Sequence, residues 1–320
     1  MKVTKQMLHE DLRAHFRPLS AFAAIGKYKP TIQLMNALSR LSKGKNIESL
    51  DCDEYSVPSS DGDWNIRTRV YRPKHATEKL PVMLYIHGGG YITGNPEGFG
   101  FVVERFIKTR PCVVVAPDYR KAYTQPFPAG FNDCYDTLMW AKNNAEKLAI
   151  DSDKVIVAGH SAGGGLTAAV TLKARDTQDV DIAFQMPIYP MIDDLQPADP
   201  DRYIKTPVWD TAMNKMGWGA YLSDLHKQGV DIPAYAAPAR NTDYRGLPPT
   251  ITFVGSLEPF YQETLDYVEA LKQESVDVAF KLYDGCFHAF EFLSPNTKVS
   301  KDARDFTFDS YADFYDRYVS

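Results

Sequence analysis

Residues 159–163 read Gly-His-Ser-Ala-Gly. The apolar run Val155-Ile156-Val157-Ala158 precedes them, and Gly164-Gly165-Leu166-Thr167-Ala168-Ala169-Val170 follows. A serine on a sharp strand-to-helix turn is exposed above a helix N-terminus, where a neighbouring base can activate it for nucleophilic attack. The turn is so tight that the positions two before and two after the serine must be nearly free of side chain, and Gly159 and Gly163 meet that need.

A hydroxyl that attacks an acyl carbon needs donors for the developing oxyanion, a base, and an acid that orients the base. His87-Gly88-Gly89-Gly90-Tyr91 follows the apolar run 82–86, and its glycines let backbone N–H groups approach a substrate oxygen. The N–H groups of Gly89 and Gly90 would join that of Ala162 as the donors. A plain glycine turn or a phosphate cradle is the bland alternative. A dinucleotide loop would need G-x-G-x-x-G opening a helix, which is absent.

The base should come late, after the last strand, where His288 stands in Phe287-His288-Ala289-Phe290. His9, His15 and His75 precede the core motifs, His226 falls in an interruption described below, and His87 and His160 belong to the glycine loop and the serine turn. The acid should follow a strand between serine and histidine. Glu258 does so, in Val254-Gly255-Ser256-Leu257-Glu258-Pro259, with Pro259 to stiffen the loop. Asp193, Asp194 and Glu263 are its rivals.

These groups must be carried by a scaffold. Short apolar runs at 82–86, 112–116, 155–158, 182–186, 250–254 and 278–282 predict strands, and 65–72 alternates like a half-buried one. Helices are expected near 101–107, 130–148, 162–175, 260–274 and 302–318, and two more within 4–42, parted by a loop around Lys29-Pro30. Strands alternating with helices predict an α/β fold with a mostly parallel sheet covered on both faces. The stretch from about 193 to 245 breaks the rhythm and holds Trp209, Met213, Met216, Trp218 and Tyr221. It reads as a helical cap over the sheet, although the same residues would also serve as packing.

The chain has 320 residues, 44% of them apolar, enough for one large domain with a cap. A net charge of −5 argues against nucleic acid or an anionic membrane as partner. No window approaches a membrane span, and residues 1–16 lack the apolar stretch of a signal peptide. Cys52, Cys112, Cys134 and Cys286 are spaced like free thiols of a reducing cytoplasm, and no histidine spacing resembles a zinc site.

In order, H-G-G-G-Y at 87–91, D-Y-R at 118–120 with Phe127-Pro128-Ala129, G-H-S-A-G-G at 159–164, L-E-P at 257–259 and F-H-A-F at 287–290 resemble the α/β-hydrolase fold. Within it, the pattern is similar to the hormone-sensitive-lipase-like esterases over about residues 80–290. The resemblance implies Ser161 as nucleophile, His288 as general base, Glu258 as orienting acid, and a cap built from the N-terminal helices and the insertion. Two positions depart from the family pattern. His160 stands where an acidic residue or threonine usually precedes the serine, and Glu258 where aspartate is usual. Asp118 and Arg120 are expected to brace the glycine loop.

The expected protein is a cytoplasmic, cofactor-free and metal-free serine carboxylesterase acting on small esters with short acyl chains. Residues 1–50 form an N-terminal helical cap segment and 51–320 the catalytic domain, with the cap insertion at about 193–245. Tyr91, Trp209 and Trp218 are expected to crowd the substrate. An amidase or arylformamidase on the same fold is the second reading, and a catalytically silent small-molecule receptor the third. Neither nucleic acid nor membrane is expected as a partner, and homo-oligomer formation stays open.

Overall fold

The computed structural model describes residues 1–196 and 202–320. Helices α1 (Phe16–Gly26) and α2 (Lys29–Ser39) come first. Strands β1 (Leu50–Pro58), β2 (Asn65–Pro73) and β3 (Leu80–Ile86) follow, then α3 (Gly100–Thr109), β4 (Val113–Pro117), α4 (Ala129–Asn143) and α5 (Ala145–Leu148). Next are β5 (Ile150–His160), α6 (Ala162–Thr177) and β6 (Phe184–Ile188). Helices α7 (Thr211–Tyr221) and α8 (Ser223–Gln228) precede β7 (Thr250–Gly255), α9 (Tyr261–Gln273), β8 (Val278–Tyr283), α10 (Phe290–Leu293) and α11 (Lys298–Tyr318).

The strands form one eight-stranded sheet in the order β1-β2-β4-β3-β5-β6-β7-β8. β2 runs antiparallel to β1 and β4, and the other pairings are parallel. Side-chain alternation along β3 shows how both faces are covered. Val82, Leu84 and Ile86 pack with α4 and α6, whereas Met83 and Tyr85 pack with α3 and α11. Burying each such side chain stabilises the fold by about 1.5–3 kcal/mol.

Strand order reverses at β3. The chain leaves β3 for β4 on one side and returns to β5 on the other. A reversal of this kind opens a crevice at the carboxyl ends of the strands, where ligands bind in open α/β sheets. The glycine loop leaves β3 and the serine turn leaves β5, so both open into that crevice.

Several boundaries differ from the sequence expectation. Pro30 lies in the first turn of α2 rather than in a loop, because a first-turn residue needs no N–H partner. The expected helix over 130–148 divides at Asn144, whose side chain bonds the Trp140 carbonyl at 2.8 Å and competes with the helical pattern. The strand expected at 182–186 runs from Phe184 to Ile188, and the last helix begins at Lys298, where Thr297 caps it. Part of the expected insertion, residues 197–201, lies outside the described residues. Among the described residues, no helix is long and apolar enough to cross a membrane.

Arg120 does not touch the glycine loop, contrary to expectation. Its guanidinium bonds the fully buried Asp133 of α4 at 2.7 Å, Asp61 at 2.8 Å and the Ala129 carbonyl at 3.2 Å. It therefore ties the β1–β2 turn to α4. Arg120→Met should strand a buried carboxylate and lower unfolding stability by about 3 kcal/mol, read as a fall in the urea midpoint. A loss below about 1 kcal/mol would show the pair to be dispensable.

Candidate active site

Ser161 sits between β5 and α6 with φ 59° and ψ −121°, a strained conformation for a residue with a side chain. The surrounding backbone pins it. Its N–H donates to the Ile188 carbonyl at 2.9 Å, and its carbonyl accepts from Gly165 at 2.9 Å and Met191 at 3.1 Å. Gly163 is required by close approach, since a Cβ there would run into the carbonyl oxygens of Ile86 and His87. Ala162 is the first residue of α6, so its N–H is one of the helix's unpaired donors.

The glycine loop lies against this turn. Gly89 has φ 130°, and a Cβ there would strike the Thr93 backbone, so only glycine fits. Among the described residues, none accepts from the N–H of Gly89 or Gly90. The loop is held from behind. Tyr119 donates to the His87 carbonyl at 3.0 Å, and its ring stacks on the His87 ring at 4.3 Å. Burial and the Lys121 ammonium push the His87 imidazole down to about 3, so it is neutral. Its Nδ1 is then free to donate to the Gly88 carbonyl at 2.7 Å while Nε2 accepts from Lys121 at 3.2 Å. Asp118 completes the brace through Lys121 at 3.1 Å and Lys43 at 2.5 Å. Burial alone would raise its carboxyl, but the two ammonium groups hold it down at about 2.

His288 follows β8 and Glu258 follows β7. The two loops are stitched together. Ser256 donates its N–H to the Tyr283 carbonyl at 2.9 Å and its hydroxyl to Asp284 at 2.8 Å, and Leu257 donates to Cys286 at 2.9 Å. His288 Nε2 lies 2.9 Å from Ser161 Oγ, and Nδ1 lies 2.5 Å from Glu258 Oε2. The other Glu258 oxygen accepts from Gly255 N–H at 2.8 Å. The imidazole is clamped edge-on between Tyr189 and Phe260, at ring separations of 4.8 and 4.9 Å. Tyr189 is fixed in turn by donating to Glu291, whose carboxyl burial pushes up to about 8. With its Nδ1 proton shared with a carboxylate, His288 presents Nε2 as an acceptor to the serine hydroxyl.

The rival acids are engaged elsewhere. Asp193 accepts from Leu195 at 2.9 Å, Asp194 pairs with Arg240 at 2.7 Å, and Glu263 accepts from the Ile192 N–H at 2.7 Å. Among the described residues, no cluster of histidine, cysteine or acidic side chains could hold a metal.

Above Ser161 lies an apolar cavity of about 190 Å³, bounded by Gly88, Gly89, Gly90 and His288 and roofed by Ile32, Met35, Trp209 and Met213. Trp209 lines this cavity, its indole against Gly90. Tyr91 and Trp218 do not line the cavity. Tyr91 turns away at φ 64°, donates to the Met191 carbonyl at 2.6 Å and stacks on Tyr221 at 4.0 Å. Trp218 packs behind it at 5.3 Å. Position along the chain could not show either orientation. Phe99, His160, Tyr189 and Phe292 do line the cavity, and none was singled out as a substrate contact. Phe292 reaches the cavity from the one-turn helix α10, which the chain enters through Ala289 at φ 56°, a placement that no sequence spacing signals. His160 bonds Tyr85 through Nδ1 at 3.0 Å, and burial pushes its imidazole down to about 3.

A doubly covered, mostly parallel sheet that presents a hydrogen-bonded serine, histidine and glutamate at its strand-order reversal defines a hydrolase of the α/β class. A family model of the α/β-hydrolase fold matches residues 83–292. The carboxylesterase NlhH of Mycobacterium tuberculosis is 32% identical over 220 residues, covering 68% of this chain and 69% of the relative. An arylesterase of Saccharolobus solfataricus is 30% identical over 236 residues, 73% of this chain and 76% of its own. The solved structure of a bacterial heroin esterase superposes with a TM-score of 0.86 at 30% identity, covering 98% of this chain and 99% of the other. The chain belongs to the α/β-hydrolase family, in its hormone-sensitive-lipase-like carboxylesterase branch.

Proposed function

We propose that this carboxylic ester hydrolase cleaves small esters with short acyl chains through an acyl-enzyme on Ser161. The observation that carries this reading is the hydrogen-bonded series Ser161–His288–Glu258 beneath a cavity of only about 190 Å³. His288 Nε2 takes the hydroxyl proton as Oγ attacks the ester carbonyl. The carbonyl oxygen becomes an oxyanion, bound by the N–H groups of Gly89, Gly90 and Ala162. Each such donor contributes on the order of 10²–10³ in rate. Collapse breaks the bond to the alkoxy oxygen, which leaves with the proton held on His288. Water then gives a proton to His288 as it attacks the acyl carbon, and collapse of this second intermediate breaks the bond to Ser161 Oγ, which takes that proton back from His288 as the acid leaves. Glu258 holds the imidazole in the productive orientation throughout.

In this reading α1, α2 and α7 act as a cap over the site, supported by the side chains of α2 and α7 in the cavity roof. Four unpaired cysteines, three of them buried, support a reducing cytoplasmic setting.

Cavity size sets the substrate preference. Each methylene that fails to leave water forfeits about 0.8 kcal/mol, close to four-fold in kcat/KM. Across p-nitrophenyl acetate, butyrate, octanoate and palmitate, kcat/KM should peak at acetate or butyrate. A peak at octanoate or longer would overturn the short-acyl reading.

A further inference from the structure

The cavity above Ser161 shares one lining residue with a second hollow. The second has a volume of about 350 Å³ and opens on the surface between α3 and α11, where the rings of Phe101, Phe292 and Phe308 line it together with the charged Arg105, Arg304 and Asp305. Phe292 is the shared residue, and its ring contacts both sides. Inward it meets His160 at 5.2 Å and Phe99 at 6.4 Å. Outward it meets Phe101 edge-on at 5.1 Å. Phe101 is 54% exposed, an unusual exposure for a large aromatic ring. The far wall is also aromatic, with the Arg105 guanidinium 5.5 Å above the Phe308 ring.

We propose that Phe292 is a specificity-determining partition. It ends the substrate cavity, and behind it the outer groove forms an aromatic-lined extension suited to the distal part of a long alkyl or aryl-alkyl ester. The partition is a single side chain on the one-turn helix α10, entered through Ala289 at φ 56°. Arg304 anchors that helix by donating to the carbonyls of Glu291 at 2.6 Å and Pro295 at 2.7 Å. The backbone of α10 is thus held from outside, and Phe292 is the one residue that lines both hollows. A smaller residue joins them without requiring the backbone to move. The joined channel then takes methylenes that the wild-type cavity leaves in water, each worth about four-fold in kcat/KM.

This inference rests on the esterase reading, and one experiment separates the two. Wild type, Phe292→Ala, Phe292→Leu and the double variant Phe292→Ala/Arg105→Trp are compared on two series. In p-nitrophenyl esters the acyl chain grows from two to twelve carbons; in alkyl acetates the alcohol grows instead. In one series, the kcat/KM ratio of the eight-carbon to the two-carbon member should rise at least ten-fold in Phe292→Ala. It should rise less in Phe292→Leu. In the double variant, the indole introduced by Arg105→Trp refills the groove, and the ratio should return toward wild type. The series that responds identifies which arm of the ester points at Phe292. Phe292→Leu keeps a branched apolar side chain, so it carries the test if the alanine variant does not fold. An unchanged ratio in both series, or a gain indifferent to Arg105→Trp, would overturn the partition. Failure of wild type to hydrolyse p-nitrophenyl acetate would overturn the esterase reading and this inference with it.

Discussion

Ser161→Ala is expected to lower kcat for p-nitrophenyl acetate by a factor of about 10⁵–10⁶, the scale seen when a serine nucleophile is deleted from a site of this kind. The folded protein should survive. Among the described residues the Ser161 hydroxyl bonds His288 alone, while the bonds that hold the strained turn come from its backbone. Alanine keeps a Cβ and so inherits the same φ of 59° without new strain. The urea midpoint should therefore shift by less than about 1 kcal/mol of stability. A fluorophosphonate should add one group to wild type, mapped by mass spectrometry to Ser161, and none to the variant. An adduct on another serine, or activity within ten-fold of wild type, would remove Ser161 from the proposed role.

Glu258→Gln is expected to cost kcat about 10⁴, and the geometry shows why an isosteric change should be so damaging. The Gly255 N–H fixes one side of the residue as an oxygen acceptor. Glutamine can satisfy that donor only by turning its NH₂ toward His288 Nδ1. The imidazole must then accept at Nδ1 and carry its proton on Nε2, facing the serine hydroxyl that it should deprotonate. Asp193→Asn, Asp194→Asn and Glu263→Gln should leave kcat within a few-fold, because each of those carboxylates bonds groups away from His288. A collapse of kcat in one of these three, with Glu258→Gln nearly active, would reassign the acid.

Spacing and chain order bring out Ser161, Glu258 and His288 because the chemistry restricts both residue type and sequence order. The same holds for the glycine loop, where backbone approach leaves no other residue type. Central strands were legible as short apolar runs since parallel strands are buried on both faces. β1 was not. Its sequence, Leu-Asp-Cys-Asp-Glu-Tyr-Ser-Val-Pro, carries the charges of an exposed sheet edge and shows no clean alternation. The substrate-facing rings were the least legible part. Tyr91 is adjacent to the glycine loop in sequence, yet its positive φ and its bond to Met191 turn it into the packing behind the site. Phe292 and His160 face the cavity because of where α10 and Tyr85 hold them, which is tertiary information. Asp118 and Arg120 sit two residues apart and brace different regions, one through lysines and the other through a buried aspartate.

The stitching of the β7 and β8 loops bears on how this scaffold could be redesigned. Ser256 and Leu257 bond Tyr283, Asp284 and Cys286, while Gly285 accepts the His9 N–H at 2.8 Å and donates to the Ser256 hydroxyl at 2.8 Å. A residue inserted into either loop would shift the register of several of these bonds at once and carry both the imidazole and its carboxylate out of line. Combinatorial libraries aimed at new substrates therefore belong on side chains of the roof and of α10. The two loops are better treated as a single cassette, transplanted whole or left alone.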